Sequence, residues 1–136
     1  MKISTSDLIG PALDWAVERA NGFKLVWWEG QWVDDGDKSL WGKLDKYSTD
    51  WKAAGRVMEK EDIFPAATGW GDNRFKYVAR TKAFLVVNGR ETRFEQYGPT
   101  PLIAAMRCYV ASKLGDVVEV PDELGRDEPA AQERQP

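Results

Sequence analysis

The sequence predicts an α+β domain in which two principal helices pack on one face of a mostly antiparallel sheet. Three observations carry this. Tyr97 to Leu124, YGPTPLIAAMRCYVASKLGDVVEVPDEL, contains a capped helix of about four turns whose only charged residues are Arg107 and Lys113. A helix this poor in polar residues must be enclosed on more than one side, so it is the centrepiece of the fold. Asn88-Gly89 stands between AFLVV and RETRF, the residue pair favoured by a two-residue type I′ hairpin. In Phe23 to Val33, FKLVWWEGQWV, aromatic and β-branched residues flank Glu29-Gly30 as two short strands around a tight turn.

The other elements follow in order. Pro11 suits the first helical position, where its missing N–H costs nothing. Ala12, Leu13, Ala16, Val17 and Ala20 then recur at helical spacing with Asp14 and Glu18 opposite, and Asn21-Gly22 supplies the stop. Asp34 to Lys38 reads as a loop. Leu40 to Met58 is the least regular stretch, a long excursion with a turn at Ser48-Thr49-Asp50. Arg56 to Ile63 fits a strand or a single helical turn equally well. Pro65 to Asn73, PAATGWGDN, is loop by its Gly and Pro content.

In the Asn88-Gly89 hairpin, Val87 should face Arg90, Leu85 should face Thr92 and Ala83 should face Phe94. The apolar first strand belongs in the interior and the charged second strand nearer an edge. Thr100 is the expected N-cap of the long helix and Pro101 its first residue. Leu102, Ile103, Met106, Tyr109, Val110 and Leu114 form a stripe of large side chains. Ala104, Ala105, Cys108, Ala111 and Ser112 form a small-residue face that admits the alanines of the first helix. Gly115 ends the helix, and Val117 to Val120 is a short strand. One globular domain therefore spans residues 1–124. Residues 125–136 have little to bury and read as a disordered tail.

Composition excludes more chemistry than it suggests. With 136 residues and 43% hydrophobic content, the chain can bury about two-thirds of its unfolded surface unaided. A net charge of -3 argues against broad nucleic-acid binding and against adhesion to anionic membranes. A single cysteine, Cys108, rules out an internal disulfide and suits a reducing compartment. The first ten residues hold no apolar signal core, and the apolar runs fall far short of a membrane span. The expectation is a cytoplasmic protein. Histidine is absent, which removes the Ser-His-Asp triad, the Cys-His pair and imidazole metal sites. Neither a P-loop nor a dinucleotide glycine pattern occurs. The sequence therefore indicates no catalytic residue, metal ligand or cofactor. Asp34-Asp35-Asp37 surrounds Gly36 and reads as a solvated turn more readily than as a divalent-metal site for a carboxylate-based hydrolase.

Two groups of residues point towards binding. Adjacent strand residues face opposite sides, so Trp27, Trp28, Trp32, Trp41, Trp51 and Trp70 cannot all be interior. Two or three should reach the surface, while Trp15 belongs in or beside the core. Exposed tryptophan suits stacking on a flat ligand or gripping a partner; aromatic filling of a small core explains the same residues equally well. Arg107 is the second feature. Its structural reading is a salt bridge to Asp14, Glu18 or Glu119, and its functional reading is a fixed cation in a pocket. Thr100 opens a helix end that either is simply capped or holds an anion. Cys108 reads as a buried filler. The candidate ligand-binding set is Trp27, Trp28, Trp32, Trp51, Arg56, Arg80, Thr100 and Arg107.

ALDWAVERANG near the start, YSTDWKAAGRVMEKEDI in the middle and GPTPLIAAMRCYVASKLGDVVEVPDEL near the end resemble the NinX-like phage proteins of unknown function, over approximately half the chain. Where relatives carry a glycine pair and a proline, this chain has Ala54-Gly55-Arg56-Val57. The Trp-rich hairpin and the stretch Asp34 to Lys46 also set it apart. The resemblance implies a bacteriophage or prophage accessory protein acting inside a bacterium, and it supplies no catalytic residues. Two non-catalytic functions fit: sequestering a small anionic, nucleotide-like ligand as counter-defence, or inhibiting a host defence or nucleic-acid-processing complex by protein–protein contact. A homodimer formed through the hairpin edge or an exposed aromatic patch is compatible with either.

Overall fold

The computed structural model describes residues 1–35, 40–42, 44–81 and 85–127. Its elements run β1 (Lys2–Ser4), a 3-10 turn (Thr5–Asp7), α1 (Gly10–Ala20), β2 (Leu25–Trp28), β3 (Gln31–Asp34), β4 (Leu40–Gly42), α2 (Trp51–Glu61) and β5 (Phe64–Ala67). A second 3-10 turn (Asn73–Phe75) precedes β6 (Tyr77–Arg80), β7 (Leu85–Val87), β8 (Arg90–Thr92), β9 (Glu95–Gly98), α3 (Pro101–Leu114), β10 (Val117–Glu119) and α4 (Asp122–Asp127). The class is α+β. The strands are divided among four small sheets, ordered β1-β10, β2-β3-β4, β5-β6-β9 and β7-β8, and every described pairing is antiparallel.

Helix α3 occupies the centre. Every residue from Leu102 to Ala111 is buried, and α1, α2, β5, β6 and β9 all pack against it. Thr100 caps it by accepting the Ile103 N–H at 3.2 Å, and Gly115 ends it at a positive φ of 92°. Strand β9 lies closest. A Cβ on Gly98 would stand 2.8 Å from the Ala104 nitrogen and 3.0 Å from an Ile103 methyl, so only glycine permits this separation.

Both sequence-predicted hairpins are present. Trp27 pairs with Trp32 across β2 and β3, and Glu29 and Gly30 both take positive φ at the turn, as a type I′ turn requires. Asn88 and Gly89 do the same, with Leu85 opposite Thr92 and Val87 opposite Arg90. Ala83 and the side chains of β7 lie outside the described residues. The expected pairing of Ala83 with Phe94 therefore also lies outside the described residues; Phe94 bonds Thr81, its carbonyl accepting the Thr81 N–H at 3.1 Å and its N–H donating to the Thr81 hydroxyl.

Three local readings need correction. A third long helix, α2, takes the last eight residues of the irregular excursion, and the strand option for Arg56 to Ile63 falls with it. The turn before it is present, and Asp50 caps the helix by accepting the Lys52 N–H at 2.9 Å. Ala53, Ala54, Val57 and Met58 form its narrow buried stripe; Gly55 and the charged residues around that stripe weaken the helical pattern. The segment from Pro65 begins inside strand β5, at the edge of its sheet, where a missing N–H is tolerated. Finally, Asp14 and Glu18 are not the solvent face of α1: both are buried, because the segment around Tyr47 covers them. Helix α4 crosses residue 124, where the tail was expected to begin, and the rest of that tail lies outside the described residues.

Gly98→Ala should destabilise the domain by about 1–3 kcal/mol through overpacking against the α3 backbone, read as a lower urea midpoint with an unchanged slope.

Candidate functional site

The eight candidate residues do not converge. Trp32 is core, and Trp27 is half-buried against it edge-on at 5.1 Å. Trp28 and Trp51 are exposed on separate elements, β2 and α2. Together with Trp70 they make three exposed tryptophans among the described residues; the Trp41 side chain lies outside the described residues. Trp15 is buried and donates its indole N–H to the Leu25 carbonyl at 2.9 Å. Arg80 is held by Glu95 at 2.6 Å. Arg56 is exposed on α2, and its Nε makes a long contact of 3.5 Å with the Lys52 carbonyl. Thr100 is an N-cap. Cys108 is buried, and burial pushes its thiol up to about 12, far from an activated nucleophile. Asp35 pairs with Lys24 at 3.7 Å, while Asp37 lies outside the described residues. No metal-ligating group of three occurs among the described residues.

Arg107 is a buried candidate whose side chain is held beside a cleft. It is only 7% exposed. The expected salt bridge to Asp14, Glu18 or Glu119 does not form. Arg107 Nε instead donates to the Leu8 carbonyl at 2.8 Å, and Nη1 donates to the Tyr97 carbonyl at 2.8 Å. Two neutral carbonyls hold the guanidinium in place without cancelling its charge. Burial lowers its pKa, and the nearby Asp7 carboxylate acts in the opposite sense.

Around Arg107 lies a cleft of about 420 Å³, lined by Ser6, Asp7 and Ile9 on one side, Asn73, Arg74 and Phe75 on another, and Gln96, Tyr97 and Pro99 of the β9 segment. The first 3-10 turn is fixed from behind, since the Thr5 hydroxyl donates to the Gly115 carbonyl at 2.6 Å and its N–H to Asp116 at 2.7 Å. The aromatic wall is built from rings in mutual contact. Tyr97 stacks on Trp70 at 5.5 Å and meets Phe75 edge-on at 5.7 Å. Arg74 lies over the Phe75 ring at 5.3 Å while its guanidinium grips Asp72 at 2.8 Å. That pairing holds the Asp72 carboxyl below its usual range and leaves Arg107 as the less compensated cation. Sequence reasoning found Arg107 but missed Phe75 and Tyr97. Both were single aromatics in segments without repeating pattern, and only the β6–β9 pairing and the second 3-10 turn bring them together.

The chain is a small α+β domain with a central buried helix and an internal arginine beside an aromatic-lined cleft. The family model described as "Bacteriophage P22, NinX" matches residues 4–113, and the chain belongs to that family. The matched range takes in the central segment and the Trp-rich hairpin and stops short of β10. Family membership marks the chain as a phage accessory protein. No curated protein matches it. No helix among the described residues is long and apolar enough to cross a membrane.

The buried carboxylates of α1 give a pH signature. Burial raises Asp14 from 3.8 to about 6, opposed by the Ser48 N–H that its Oδ1 accepts at 2.9 Å. The folded state thus holds this proton more tightly than the unfolded chain does, and stability falls as pH climbs from about 4 to about 6. Glu18 is raised by burial too and acts with the same sign. Asp14→Asn, which keeps an acceptor for Ser48, should leave melting near pH 4 unchanged. At pH 7 it should stabilise the domain by on the order of 2 kcal/mol, read from thermal melts at the two pH values.

Proposed function

We propose that this phage protein acts by non-catalytic binding of a small, planar, anionic ligand of nucleotide type in the Arg107 cleft. The observation that supports this most is the state of Arg107: a buried guanidinium oriented by two carbonyls, without a carboxylate in salt-bridge contact among the described residues, beside the open aromatic wall of Phe75 and Tyr97. An anionic group from a ligand supplies the missing counter-charge, and charge-assisted bonds to a preoriented arginine are among the stronger polar contacts. The ligand's flat portion lies against the Phe75 side. Ser6, Asn73 and Gln96 offer neutral hydrogen bonds, and Asp7 disfavours a ligand with a second negative group near the first turn. In a phage-infected cytoplasm, such binding would serve to sequester a host defence signal.

A protein partner is the second reading. Ile9, Trp70 and Phe75 are exposed in and around the same cleft, and exposed aromatics beside an arginine suit an interface hot spot. A host protein would then insert an acidic side chain towards Arg107.

Native mass spectrometry of protein purified gently from its bacterial host should retain a small mass that denaturation removes. Calorimetry with a panel of linear and cyclic nucleotides should then show saturable heat. Phe75→Ala should weaken that binding about tenfold by removing the stacking surface, with little change in melting temperature. No heat from any nucleotide at saturating concentration, together with a clean apo mass, would end the ligand reading; recovery of a stoichiometric host protein lost in Phe75→Ala would establish the second.

A further inference from the structure

Arg107 presents one corner of its guanidinium to the cleft beside Phe75 and Tyr97. An arginine carries five N–H donors. Nε and Nη1 make one bond each, to the Leu8 and Tyr97 carbonyls. Nη2 makes no bond among the described residues, and it is not among the buried side-chain atoms left without a partner. It therefore has surface in the cleft that Arg107 lines. A guanidinium fixed at two corners, with the third open, is preoriented to donate to the oxygens of an anion.

The other charged groups of the lining do not extend this positive site. Arg74 is exposed on the second 3-10 turn, and its guanidinium is paired with Asp72 at 2.8 Å. Asp7 is exposed on the first 3-10 turn. Its charge acts on Arg107, without a salt bridge between the two among the described residues. The β9 segment adds Gln96, Tyr97 and Pro99, of which only Tyr97 is titratable. One cation that lacks a carboxylate in contact thus shares the cleft with one carboxylate. A singly charged group meets the cation with its whole charge. A doubly charged group brings a surplus close to Asp7, and like charges set side by side cost affinity steeply. The cleft volume of about 420 Å³ lies in the lower part of the range for small-molecule sites, which suits one nucleotide unit.

On the reading of this cleft as a nucleotide site, we infer that it selects a phosphodiester, with one charge on its phosphate, over a phosphomonoester, which carries close to two at neutral pH. Arg107 Nη2 donates to a non-ester oxygen of the diester, and Asp7 repels the added charge of the monoester. The selection is one of charge, so Asp7 sets it and the aromatic wall does not. A diester occurs both in a ring-closed nucleotide and in the open linkage between two nucleosides, and these are the two sources to separate.

Calorimetric titration of the full chain with the monophosphate, its methyl ester and the cyclic monophosphate of adenosine, guanosine, cytidine and uridine tests this. At pH 7 at least one diester should bind about tenfold or more tightly than the monoester of the same base. At pH 5 the monoester regains its second proton, and the gap should close to about twofold or less. Asp7→Asn should narrow the gap at pH 7 by raising the affinity of the monoester. Preference for the cyclic form alone identifies a ring-closed ligand, and tight binding of the methyl ester identifies an open linkage. A monoester that binds as tightly as both diesters at pH 7 overturns the inference and leaves the Arg107 cleft a nucleotide site. A preference that persists at pH 5 or in Asp7→Asn overturns it too, because shape then selects in place of charge. Absence of heat from every form of every base overturns the nucleotide reading and this inference with it. Should Asp7→Asn not fold, the comparison of the two pH values decides on the unaltered chain.

Discussion

The interaction on which this structure depends is the pair of hydrogen bonds from Arg107 to the carbonyls of Leu8 and Tyr97. A guanidinium in the middle of a buried helix must find partners for its N–H groups, because an unsatisfied buried charge costs several kcal/mol. Arg107 finds them on two chain segments that share no strand pairing, the stretch before α1 and the end of β9. One side chain thereby ties the N-terminal segment, a sheet and the central helix together. The bonded groups are carbonyls, so the tie is made without a counter-ion. The same economy that closes the fold leaves a positive charge beside the cleft.

That tie explains why the small residues lie where they do. With β9 drawn onto α3, the strand passes close enough that Gly98 has room for no side chain. Around α3 pack α1, β9, which brings Gly98 against its backbone, and α2, whose buried residues are Ala53, Ala54, Val57 and Met58. The strands form four small sheets in place of one broad one, and α3 packs on β5, β6, β9 and β10. Pairing β1 with β10 brings the beginning and the end of the domain beside each other, and the Thr5 bonds to Gly115 and Asp116 fix the turn that carries Ser6 and Asp7. The cleft is accordingly built on anchored backbone on each side, which is what a preorganised binding site needs.

Local patterns were legible in the sequence and long-range ones were not. Thr100-Pro101 and Gly115 bracket α3 through capping chemistry that acts within a few residues. Glu29-Gly30 and Asn88-Gly89 specify their turns through backbone conformations that those residues accept. Helix α2 was hidden because Gly55 and the charges at Arg56, Glu59 and Lys60 dilute its apolar stripe, leaving its Asp50 cap as the main local signal. Strand β5, at the edge of its sheet, was hidden by Pro65, a residue that strands admit mainly at an edge. The site shows the same division. Arg107 stood out because a lone charge in an apolar helix is a local anomaly. Phe75, Tyr97 and Arg74 carry no such mark, and they become a wall only when β6 pairs with β9. Trp27 and Trp32, attractive as stacking residues, spend their rings on each other across the hairpin.

The polar face of α1 shows how a buried charge can be read twice. Asp14 and Glu18 lie one turn apart, and spacing alone assigns them to solvent. The segment from Leu44 to Asp50 changes that by crossing over them and leading into α2. Asp14 is compensated, since the Ser48 N–H meets its carboxylate where the covering turn begins, so its burial serves that turn. Glu18 receives one long bond from Asn21 and the interaction with Tyr47, and one of its oxygens remains unbonded. The two carboxylates share a helix, a cover and a direction of pKa shift, yet only one has its bonding fulfilled by the fold. Arg107 and Glu18 thus answer burial differently: the cation is held by two backbone carbonyls, while burial raises the pKa of the acid and the Asn21 and Tyr47 side chains oppose that rise.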